Sequence, residues 1–126
     1  MTPEIHTQIE DAALNEICNP ERGDCITVAA AIQEVFGGVP LVFYVSPERE
    51  DVMHAVVEID EQLYDGSGKR KLDFLLPAVL NDAQKRGYDE LIDEDLFQYE
   101  EEVTSHEIYN GELKKKIVER LRTTEN

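Results

Sequence analysis

A chain of 126 residues, 41% hydrophobic and 32% charged, has the size and balance of one globular domain. Its net charge of −16 argues against direct contact with nucleic-acid phosphates, which such a field repels. No apolar run approaches the roughly 20 residues of a membrane span, and Met1-Thr2-Pro3-Glu4 carries neither the basic nor the apolar region of a secretory signal.

The expectation is therefore one domain over residues 1–126, cytoplasmic, with no nucleic-acid or membrane partner. The two cysteines, Cys18 and Cys25, lack the paired spacing of a zinc knuckle, and a reducing compartment keeps them as thiols. No metal and no cofactor is expected. The charge is unevenly spread. Residues 1–65 hold 14 acidic groups against Arg22 and Arg49, whereas residues 66–126 hold 14 against 10 basic ones.

In chain order, Thr2 precedes Pro3, which suits the first position of a helix. Ile5, Ile9, Ala12, Ala13 and Ile17 keep helical spacing until Pro20 ends the segment near Cys18. A loop over residues 19–23 leads to Asp24, a favourable N-cap for a helix over residues 25–36. That helix is apolar almost all round, the mark of a helix buried in the middle of a domain, and Gly37-Gly38 stops it. Residues 39–45 read as a strand and residues 46–51 as a polar turn. Residues 54–59 and 62–65 flank Asp60-Glu61 and read as a hairpin, after which Gly66-Ser67-Gly68 closes the sheet. Helical character returns over residues 72–85, with Pro77 inside and Gly87 beyond, and over residues 93–103. Asn110 then caps a last helix with Leu113, Ile117, Val118 and Leu121 on one stripe. The order predicts an α+β fold: a buried central helix carrying Cys25, packed on a small antiparallel sheet of three strands, with flanking helices at both termini.

Chemistry concentrates on three residues. Cys25 sits in the first turn of the buried helix, where the helix dipole and unpaired N–H groups favour thiolate. A small apolar core residue is the alternative. His54 opens the second strand. A two-residue turn at Asp60-Glu61 would pair Ile59 with Gln62, Val57 with Tyr64 and Val56 with Asp65, which sets Asp65 diagonally across from His54 on the same face. A three-residue turn would put Asp65 on the other face. Asp65 is also a favoured turn residue before Gly66.

Gly23-Asp24-Cys25 at a helix start, followed by His54-Ala55-Val56-Val57-Glu58-Ile59 and Leu63-Tyr64-Asp65-Gly66, resembles the papain-like and transglutaminase-like cysteine-enzyme superfamily. The resemblance covers residues 19–68, about half the chain. Arg22-Gly23-Asp24 departs from the local papain pattern, and no Trp follows Cys25. It implies attack by Cys25 on an amide or ester carbonyl, His54 as general base and then acid, and Asp65 as its orienter. Asn19 stands at the offset where papain-like members place an oxyanion-binding Gln. The partner so implied is a protein or a small amide or ester substrate.

Other residues read plainly. Cys18 is expected in the core or partly exposed. His6 and His106 are read as surface residues without a carboxylate or thiol at ligand spacing. Glu100-Glu101-Glu102 reads as a solvated helix face, and Lys114-Lys115-Lys116 as ordinary surface. Lys69-Arg70-Lys71 reads as a solvated loop or a basic rim to the site. The rival reading of the whole is a non-catalytic acidic protein on the same scaffold: an inhibitor, immunity factor or polyanion mimic with a basic protein partner. A third reading makes the acidity an adaptation to a salt-rich cytoplasm.

Overall fold

The computed structural model describes residues 2–19, 24–44, 52–88 and 96–124. The turn expected at residues 46–51 and most of the loop at 19–23 lie outside them. Among the described residues are four α-helices, α1 (Thr2–Ala12), α2 (Cys25–Phe36), α3 (Leu72–Lys85) and α4 (Gly111–Thr123). Five strands, β1 (Val39–Tyr44), β2 (Val52–Ile59), β3 (Gln62–Asp65), β4 (Gly68–Arg70) and β5 (Phe97–Glu100), form one antiparallel sheet in the order β4-β3-β2-β1-β5. The fold is α+β, with Cys25 on a helix whose first eight residues are all buried.

Two apolar clusters lie on the two faces of the sheet. One gathers α1, α2 and α4 around Val42, Ala55, Val57 and Tyr64. The other packs Leu75, Val79 and Ala83 of α3 on Leu41, Phe43 and Val56. The alternation of Leu41, Val42 and Phe43 between clusters follows from the period of two along a strand.

Four expectations need correction. The first helix does not run on to Cys18: Ala13 adopts a left-handed conformation (φ 50, ψ 56), and a short 3₁₀ turn over Leu14–Glu16 follows. The reversal seats Leu14 in the core. The sheet does not close at Gly68, because Gly68–Arg70 pairs with β3 as a fourth strand. Among the described residues, the helix expected over 93–103 is absent, and only a short 3₁₀ turn begins at Val103. Phe97–Glu100 pairs with β1, its side chains alternately half-buried and exposed; residues 93–95 lie outside the described residues. The glutamates 100–102 consequently lie on a strand and the segment after it, and Glu101 accepts a hydrogen bond from the buried Tyr44 hydroxyl.

Two other expectations hold at the level of hydrogen bonds. Asn110 caps α4, accepting the Leu113 N–H at 3.1 Å. The hairpin register is Ile59 to Gln62 and Val57 to Tyr64, across a two-residue turn in which Asp60 and Glu61 both have positive φ (50 and 67). That is the primed turn whose twist matches its strands.

Candidate active site

The first residue of α2 is Cys25, 5% exposed. Asp24 stands at the N-cap position, yet its side chain does not cap the helix as the sequence suggests. It accepts the Asn19 N–H at 2.6 Å, while the Asp24 N–H donates to the Asn19 carbonyl at 3.3 Å. The first turn of α2 thus has no side-chain cap.

His54 reaches the site through an irregularity in β2. Phe43 pairs with His54 and Tyr44 with Val52, so Met53 is an extra residue. Such a bulge turns two successive side chains to one side. Met53 and His54 both line the cavity on the α3 face, whereas Val52 packs with the α2 cluster. Nothing in residues 52–54 announces the bulge, since it exists only relative to β1.

Asp65 continues the hairpin register onto that same face, 4% exposed. Its Oδ2 lies 2.8 Å from His54 Nε2 and accepts from Arg70 Nη1 at 2.9 Å. Its Oδ1 accepts the Ser67 N–H at 2.9 Å. The two sequence readings of Asp65, turn residue and histidine partner, are both realised, one on each oxygen. A carboxylate only accepts, so Nε2 must carry hydrogen, and Nδ1 is left as the nitrogen able to exchange a proton with a thiol.

Burial pushes the His54 pKa down, but hydrogen bonds to Asp65 and Cys25, together with the charges of both, outweigh it and bring it to about 9. Near neutral pH the imidazole therefore favours its charged form, bonded to a carboxylate on the α3 side.

Asn19 is exposed and borders a cavity with Cys18, Gly66 and Ser67, next to the turn that holds Asp65. A second cavity, about 240 Å³, opens beside His54 between Met53, Arg70, Leu75, Val79 and Lys85. Cys18 is half-buried and donates from Sγ to the Leu14 carbonyl at 3.3 Å. Burial, and then the charge of Asp24, push its pKa up to about 11, which leaves little thiolate.

Arg70 is the site residue that sequence reasoning misplaced. Read as loop or rim, it is a strand residue bonded to Asp65. The signal was its spacing: a tight turn after Asp65 brings residue 70 back beside Leu63, onto the face that Asp65 shares. His6 also departs from expectation. Its Nε2 is 3.0 Å from Glu10 one turn on, and its Nδ1 accepts the Lys69 N–H at 2.8 Å, which ties α1 to β4. His106 is only half-exposed, its Nδ1 buried and its Nε2 3.5 Å from the Tyr44 hydroxyl.

Among the described residues no group of three or more His, Cys, Asp or Glu side chains is placed to hold a metal ion, and no helix is long and apolar enough to cross a membrane. No family model, curated protein or solved structure matches the chain.

Proposed function

We propose that this chain is a cysteine-dependent hydrolase or acyl transferase acting on an amide or ester, in the manner of papain-like and transglutaminase-like enzymes. The reading rests on one observation: a buried imidazole bonded at 2.8 Å to Asp65, with the Cys25 thiol that begins α2 near enough to act on its charge. In the proposed reaction Cys25 thiolate attacks the carbonyl carbon and forms a C–S bond. His54 imidazolium gives its proton to the departing amine or alcohol as the C–N or C–O bond breaks. Neutral His54 next takes a proton from water or an acceptor amine, which displaces Cys25 from the thioester. Asp65 holds the imidazole and balances its charge throughout. The Cys25 backbone N–H, in the uncapped first turn of α2, is the proposed oxyanion donor, with the Asn19 amide as the second. The two unbridged thiols fit a reducing compartment, so we place the chain in the cytoplasm, acting on a protein or small-molecule substrate.

The test is iodoacetamide labelling across pH, read at each cysteine by mass spectrometry. Cys25 is expected to alkylate at least tenfold faster than Cys18 at pH 7, given the high pKa of Cys18. Equal rates, or a Cys25 that labels only after denaturation, would remove the nucleophile.

The 5% exposure of Cys25 favours a second reading, a non-catalytic acidic protein that keeps the scaffold and meets a basic partner. Labelling only after denaturation is what that reading requires.

A further inference from the structure

Three groups compete for the Asp65 carboxylate, and two of them share one oxygen. Ser67 N–H takes Oδ1, while His54 Nε2 and Arg70 Nη1 both lie within 2.9 Å of Oδ2. The side chains of Asp65 and His54 are almost wholly inaccessible, at 4% and 8%, and that of Arg70 is 23% exposed. We infer that Arg70 is a positioning residue of this site: it divides the Asp65 charge with His54 and so limits how strongly the imidazole is held as imidazolium. The inference rests on the functional reading above but is tested apart from it.

A guanidinium at Oδ2 offsets part of the negative potential that the carboxylate presents to Nε2, and at this burial little solvent intervenes. Arginine suits the place because it stays charged and its planar fork can hold an oxygen that another donor also uses. The other groups facing His54 are Cys25 from α2, which supports the imidazolium, and Asp82 and Lys85 of α3 across the cavity. Asp82 is itself paired with Arg86 at 3.1 Å. Arg70 is thus the cation bonded to the same carboxylate oxygen as His54. Without it, His54 would draw the whole carboxylate charge and give up its proton later in a titration. An imidazole that holds its proton too firmly is a poor base for the second half of the proposed reaction.

The experiment follows the His54 ring by NMR through a pH titration of the intact chain, comparing the wild type with Arg70→Gln and Arg70→Lys. Ser67 N–H still anchors Oδ1 in both variants. Arg70→Gln is expected to raise the His54 midpoint by about one pH unit, and Arg70→Lys, which restores a cation, to return it most of the way. A residue that only ties β4 to β3 would lower the thermal midpoint and leave the His54 titration in place. An unmoved midpoint, or one that falls in Arg70→Gln, overturns the inference. If Arg70→Gln does not fold, Arg70→Met takes its place, since it removes the cation while keeping an apolar stem of similar reach: a raised His54 midpoint supports charge sharing, and an unmoved or lowered one overturns it. None of these readings requires turnover or Cys25 labelling, so failure of the proposed enzyme activity would leave the assignment of Arg70 standing or falling on its own.

Discussion

Asp65 is where local and long-range chemistry meet. Its Oδ1 serves the tight turn, a role asparagine fills as well, and its Oδ2 serves His54 with a charge that asparagine lacks. The elevated His54 pKa makes this a statement about stability. In the unfolded chain the imidazole titrates near 6.5, and in the folded chain at about 9. The stabilisation is complete below pH 6.5 and is lost as pH rises through 9, because the proton that the fold holds is then released. The interval corresponds to roughly 3 kcal/mol as an upper figure. Urea midpoints are expected to fall between pH 6.5 and 9.5 in the wild type and to flatten in Asp65→Asn, with the near-neutral stability of that variant reduced. The same steepness in Asp65→Asn would mean that the carboxylate is not the source of the elevated pKa.

At the scale of elements, what could be read from the residues was whatever is decided locally. Asn110 caps α4 because a side-chain acceptor and the N–H three residues on are neighbours in any helix start. The Cys25 helix declared itself through eight successive small or apolar residues, and Gly37 and Gly38, both at positive φ, ended it. The hairpin register followed from a two-residue turn, and with it the His54–Asp65 contact. What escaped depended on distant partners. Phe97-Gln98-Tyr99-Glu100 is too short to declare a period, and the free edge of β1 made it a strand. The Met53 bulge likewise exists only as an offset against β1.

Gly38 shows how tightly the turn into the sheet is drawn. A Cβ there would lie 2.6 Å from the Glu58 carbonyl oxygen and 2.6 Å from an Ile59 side-chain carbon, at φ +97. Gly38→Ala is expected to cost about 2 kcal/mol in chemical denaturation, because strand β2 must yield. Gly37, with open space around its own Cβ position, provides the control: Gly37→Ala carries the penalty of positive φ alone and should cost less. Equal losses at the two positions would show that crowding against β2 contributes nothing.

Across the whole molecule the fold partly undoes the charge segregation of the sequence. Of the cations concentrated after residue 65, Arg120 pairs with Glu16, Lys114 and Arg122 with Glu34, and Arg70 with Asp65. The chain nevertheless carries −16, and that excess should repel itself. Raising salt until the screening length shortens from roughly 30 to 8 Å is expected to lift the thermal midpoint by a few degrees. The lift should be modest, because the same salt weakens the bridges just named. A flat or falling midpoint would mean that pairing, not repulsion, dominates, and would weaken both the polyanion-mimic and the salt-adaptation readings.

The latch between α1 and β4 bears on how this sheet ends. β4 is three residues long, and the Lys69 N–H, turned away from β3, is taken by the His6 ring. A Cβ on Gly68 would fall 2.4 Å from that ring, so the helix lies close against the strand. At the opposite margin β5 is four residues long and runs into three glutamates. An exposed strand margin invites another chain to add to it, and shortness, charge and an overlying helix are the usual deterrents. This chain uses all three, the deterrents suited to a sheet whose β-branched residues sit in its inner strands β1 and β2.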